Sequence, residues 1–179
     1  MNQLLFERPT SAEYAPPFEK YVSRVPEADA LGALAGQKAD LAATLAEVRG
    51  EAERYRYAEG KWSIREVVGH LIDAERVFGY RAVCIARGEV AALPGFDENA
   101  YVANASFDEC PLTELLDEFA LVRDGHLAFF RHLRREAWLR SGVANAKATS
   151  VRALAYIMAG HPRHHLAILR ERYLPHLRA

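Results

Sequence analysis

Apolar positions fall into four stretches at helical spacing, separated by polar connections rich in Pro and Gly. In the first stretch, Leu31, Leu34, Leu41, Leu45 and Val48 lie near one stripe that begins after Pro26 and stops at Gly50. The second starts at Ser63, which with Glu66 three residues on forms a capping box. Ile64, Val67, Val68, Leu71, Ile72, Phe78 and Ile85 form its apolar face. Gly88 ends it just past Arg87, whose charge suits the negative helix end. Pro111 opens the third stretch, with Leu115, Phe119, Val122, Phe129 and Leu133 as its stripe. Ser150 caps the fourth, which ends before Pro175.

Between these stretches the pattern fades. Pro9, Pro16, Pro17 and Pro26 punctuate residues 1–26 and predict an extended N-terminal arm. Residues 88–110, with Pro94, Gly95 and several Asn and Asp, read as a long connection of the kind that carries function or meets a partner. The segment "AWLRSGVANAKA" reads as a short turn and loop, and no strand alternation of useful length is present. The expectation is an all-α fold: a single domain over 1–179, with the arm at 1–26 and a four-helix bundle over 27–175.

Composition narrows the function classes. Half of the residues are apolar and 26% are charged, as in ordinary globular proteins. A formal charge of −1 gives no electrostatic case for nucleic acid or an anionic membrane. No run approaches the roughly 18 apolar residues of a membrane span. The N-terminus lacks a basic region followed by an apolar block, so a cytoplasmic location is expected. Cys84 and Cys110 are too few for a disulfide framework and read as small packed residues.

The chemistry gathers in "AGHPRHHLAILRERY". Leu154, Met158, His161, His165 and Ile168 step by helical intervals, so His161 and His165 sit one turn apart on the core-facing stripe. Two imidazoles so spaced can converge on one metal ion. They can also be packed or solvated histidines, because a bare His-x-x-x-His arises often by chance. His164 points to the flank. A third nitrogen would come from His70, on the inward edge of the second helix, with His126 of the third helix as the competitor. His132 and His176 read as exposed. Pro162 removes the backbone bond to the Met158 carbonyl and predicts a bent or loosened helix beside the candidate ligands.

Three segments together resemble the DinB-like superfamily, also described as YfiT-like metal-dependent hydrolases. They are "KWSIREVVGHLIDAERVFGYR", "ALPGFDENAYV" and "SVRALAYIMAGHPRHHLAILRERY", within a likeness that spans residues ~28–174. The resemblance implies a four-helix bundle, often a homodimer, with a divalent metal held by His70, His161 and His165. Pro162 departs from the acidic or polar residue common at that position, without removing a ligand.

Three neutral imidazoles leave the charge of a +2 ion uncompensated and a position open, which is the catalytic pattern. Such an ion lowers the pKa of bound water toward ~7 or activates a thiolate. Imidazole suits Zn, Ni and Fe alike, so the metal is not named by the ligands. Asp73, one turn from His70, is a candidate base or ring-orienting group. Glu75 is a weaker one that could instead pair with a neighbouring Arg. Tyr80, Phe96 and Tyr101 are candidate pocket walls, with core packing as the alternative. The resulting expectation is a metal-dependent hydrolase or a transferase that uses a low-molecular-weight thiol, acting on a small molecule. A non-enzymatic metal-binding stress-response protein and a metal-free structural bundle are the alternatives.

Overall fold

The computed structural model describes residues 7–177. Four long helices make the bundle: α2 (Ala30–Thr44), α3 (Ile64–Ala86), α5 (Leu112–Arg131) and α7 (Val151–Ile168). Both α2 and α3 pack against α5 and α7, so α2 and α3, consecutive in the chain, face each other across a diagonal. Short helices α1 (Glu19–Val22), α4 (Glu98–Asn104) and α6 (Arg135–Leu139) complete the helical part. Among the described residues no helix is long and apolar enough to cross a membrane.

The helix starts follow local chemistry. Ser63 and Glu66 form the reciprocal capping box of α3, and the Ser150 hydroxyl accepts from Ala153 N–H at the start of α7. Asp29 caps α2. Pro111 stands just outside α5 at its N-cap. Gly88, at φ +86°, follows the last turn of α3.

Three connections differ from the reading of the sequence. The N-terminal arm, apart from residues 1–6, which lie outside the described region, is not extended throughout. Two 3-10 turns, Ser11–Glu13 and Pro16–Phe18, lead into α1, where Tyr21 and Val22 are buried against α7. Gly160 makes this approach possible: a Cβ there would lie 1.9 Å from the Tyr21 carbonyl oxygen. The connection 88–110 carries α4, capped by Asp97, and a 3-10 turn. Residues expected to loop after α6 form an antiparallel hairpin, β1 (Ser141–Ala144) with β2 (Lys147–Ser150). Its turn residues Asn145 and Ala146 both have positive φ, as a tight hairpin turn demands. Four-residue strands and an Asn-Ala turn in place of Asn-Gly left too little alternation to read. The hairpin pins the long connection, because Leu93 donates to the Val143 carbonyl and accepts from Asn145 N–H.

The α7 helix runs through Pro162 to Ile168 and then widens into a π-helical turn, Leu169–Tyr173. The carbonyl that proline leaves without its helical donor, Met158 O, instead accepts from Arg123 Nη2 at 3.2 Å. Gln37 Nε2 donates to the next carbonyl, Ala159 O.

The core is divided. One apolar cluster joins the arm to Leu34, Ala74, Phe78, Leu127 and Met158. The other holds Leu41, Leu71, Leu115, Phe119, Leu166 and Tyr173. Between them a polar belt crosses the bundle, made of Gln37, His70, Glu75, Arg123, His161 and His165.

Candidate metal centre

His70 comes from α3, and His161 and His165 come from successive turns of α7. Their ring nitrogens converge, with one ligand atom from each lying within 4.8 Å of the others. The His70 and His161 Nε2 atoms are 3.0 Å apart, and those of His161 and His165 are 3.1 Å apart. Tetrahedral ligands at 2.0–2.1 Å from a zinc ion stand about 3.3 Å from one another. Two edges of the triangle therefore fit one coordination sphere, and the third lies within 4.8 Å.

Burial keeps these rings neutral. It lowers the pKa of His70 to about 4. It also holds His161 and His165 well below the usual imidazole value, with the neighbouring imidazoles adding to the shift. Each ring therefore offers a lone pair at neutral pH. Among the described residues no carboxylate or carbonyl accepts from Nδ1 of the three. Aromatic packing sets their orientation instead: Trp62 lies 4.7 Å from the His70 ring, and Tyr21 meets the His161 ring edge-on at 5.0 Å.

Two cavities flank the cluster. A cavity of about 210 Å³ touches His165, with Trp62, Tyr57 and Asn99 among its walls. Another, of about 190 Å³, touches His70 and His161, with Tyr21, Phe78, Arg81 and Phe96 among its walls. Both the arm and the 88–110 connection thus contribute side chains to the surroundings of the histidines.

The other candidates lie elsewhere. His126 sets Nδ1 3.2 Å from Glu75 Oε1, and its ring fills the space over Gly79. His164 stands on the flank against the Tyr21 ring. Asp73 is half-buried; burial raises its pKa, and among the described residues its carboxylate makes no hydrogen bond to a ring. Glu75 is buried in a bidentate pair with Arg123, at 2.7 and 2.9 Å. Tyr80 and Tyr101 are largely exposed and line an outer groove with Phe96. Cys84 and Cys110 are free and half-buried.

The sequence reading missed Arg81 and Arg123, although both had a visible register. Arg81 continues the run Ala74, Phe78, and Arg123 stands between Phe119 and Leu127. A charged residue in step with a buried stripe was the available signal. The stripe of α5 accordingly runs through Leu115, Phe119, Arg123, Leu127 and Phe130, one position away from the expected Val122 and Phe129.

The sequence pattern of the DinB superfamily matches residues 33–169. The chain belongs to the DinB superfamily. YfiT from Bacillus subtilis, described as "a probable metal-dependent hydrolase with an unusual four-helix bundle topology", has a similar solved structure. The TM-score is 0.72 at 19% identity, over 91% of this chain and 89% of that one. That likeness shows a shared fold, and the diagonal placement of α2 and α3 is this DinB protein's form of it. No match is found among curated proteins.

Proposed function

We propose that this DinB protein is a metal-dependent enzyme, a hydrolase or a low-molecular-weight-thiol transferase, whose His70, His161 and His165 hold one divalent ion. The observation that carries this reading is the meeting of three neutral imidazole nitrogens, from two buried rings and one half-buried ring, within 4.8 Å of one another and without a carboxylate among them. Three imidazoles packed together and facing one another satisfy few of their hydrogen-bonding groups, so an apolar interior gains nothing by keeping them. A cation at their centre satisfies all three at once. The description of YfiT as a probable metal-dependent hydrolase supports the same reading.

A divalent ion held by three neutral ligands supplies Lewis-acid activation of water or a thiol at its open position. The chain's own residues do the rest. Trp62, Tyr21 and Phe78 hold the rings and exclude bulk water, and the two flanking cavities give a small molecule access from either side. Asp73, half-buried and without a hydrogen bond to any ring of the cluster among the described residues, is given no part in this chemistry.

Elemental analysis of untagged protein equilibrated with zinc or nickel and then desalted tests the site. Wild type should retain about one ion per chain, and His70→Ala should retain almost none. A His70→Ala protein with undiminished metal removes the proposed centre. Ester and amide hydrolysis and thiol conjugation are then assayed on the loaded protein; a loaded protein without turnover in any of them is a metal-binding protein and no enzyme.

A further inference from the structure

Four arginines are buried among the described residues: Arg65, Arg81, Arg123 and Arg152. Three have carboxylate partners. Arg65 pairs with Glu53, Arg123 with Glu75 and Arg152 with Glu13. Arg81 has none. It is 4% exposed and donates from Nη2 to the Pro94 carbonyl at 2.7 Å. Burial lowers its pKa with no nearby carboxylate to offset the effect, yet a guanidinium remains charged at neutral pH.

A buried cation of this kind is costly unless something pairs with it. Its position indicates what that is. Arg81 lines the cavity of about 190 Å³ that also touches His70 and His161. One aromatic ring separates it from the imidazoles, since Phe78 has its centroid 5.9 Å from Arg81 Cζ and 5.9 Å from the His161 ring. Phe96 flanks the guanidinium on another side, with its centroid 6.0 Å away. Glu98 also lines the cavity, but it is exposed at the start of α4 and forms no ion pair with Arg81.

We propose that Arg81 anchors the carboxylate of a small-molecule ligand whose other end reaches the centre formed by His70, His161 and His165. The planar fork of a guanidinium matches a carboxylate, and the free donors of Arg81 are those that Pro94 does not use. The cavity is smaller than those that take drug-sized ligands, so the bound part is small. The proposal rests on the metal reading above for the far end of the ligand, and it adds the substrate class: small anionic molecules with a carboxylate one aromatic ring away from the reacting end.

The test uses zinc-loaded protein, with 6-mercaptohexanoate and 6-mercaptohexan-1-ol as probes. These share a thiol and a chain length and differ in charge. Calorimetry gives their dissociation constants, and elemental analysis of the same samples gives metal content. Wild type should prefer the acid by roughly ten- to hundred-fold, the range of one charge-assisted contact. Arg81→Met should lose that preference while keeping its metal and its affinity for the alcohol. Arg81→Lys should retain part of the preference, and it carries the comparison if the Met variant does not fold. Fully loaded wild type that binds both probes equally overturns the assignment of Arg81 and leaves the metal centre standing. A protein that retains no zinc overturns both.

Discussion

Two polar clusters lie side by side in the belt between the apolar halves of the core, and they close in opposite ways. The Arg123 cluster is complete within the protein. Its guanidinium gives two bonds to Glu75, one to Gln37 Oε1 at 2.6 Å, and others to the Leu34 and Met158 carbonyls at 3.2 Å. The histidine cluster, built on the same α3 and α7, bonds among the described residues only to its own members. Buried polar groups that are fully paired hold a fold together, whereas groups left facing one another need an explanation outside the fold's own stability, which the proposed metal would supply. Pro162 belongs to the first kind. It frees a carbonyl for Arg123 one turn before His161, and so couples the completed cluster to the helix that carries His161 and His165.

The contrast can be broken most severely at Arg123. Replacing it with Met strands the Glu75 carboxylate in the interior and should cost about 3–5 kcal/mol, read from urea unfolding. Pairing that change with Glu75→Leu should recover much of the loss, because no unpaired charge remains. The histidine cluster should respond in the reverse sense. Without metal, His70→Ala should change stability far less than Arg123→Met. With zinc at about a hundred times its dissociation constant, wild type should gain about 2.7 kcal/mol and His70→Ala should gain nothing, as thermal melts would show.

Smaller effects sharpen the picture of what surrounds the belt. Gly160→Ala sets a methyl group against the Tyr21 backbone and should cost about 1–3 kcal/mol. Limited proteolysis should then cut the arm, since its docking on α7 is what the methyl group opposes. Ser63→Ala removes the cap of α3 and should cost about 1 kcal/mol in the same unfolding assay.

The smallest effect is acid sensitivity at Glu13. Burial raises the pKa of this carboxyl, but bonds from Arg152, the Thr10 backbone and Ser150 outweigh it and hold the value below the ordinary 4.5. The folded chain therefore binds fewer protons than the unfolded one between those two values. The stabilisation is present above pH 4.5 and is lost as pH falls through the folded value. In Glu13→Gln the drop in urea midpoint between pH 7 and pH 4 should be smaller than in wild type.

Legibility followed the range of the interactions. The capping box at Ser63 and Glu66, the Ser150 cap and the stop at Gly88 were readable because each acts within a few residues of itself. The spacing of His161 and His165 was readable for the same reason. His70 was readable as the third candidate from its place on the inward edge of α3, where the family likeness agreed in preferring it to His126, and its ring nitrogen stands 3.0 Å from that of His161. The hairpin was hidden because its strands are short and its partner, Leu93, lies about fifty residues upstream.

By itself, then, the chain determined four amphipathic helices, their ends and a pair of imidazoles one turn apart, since periodicity and capping are local properties of the backbone. Only the tertiary structure decided the function of each charged residue on a buried stripe. Glu75 and Arg123, 48 residues apart, became partners, while Arg81, in the same kind of register, was left facing a cavity beside the histidines. The physical reason is that the free energy of a buried charge depends on what stands opposite it, and the element opposite is chosen by how the helices pack.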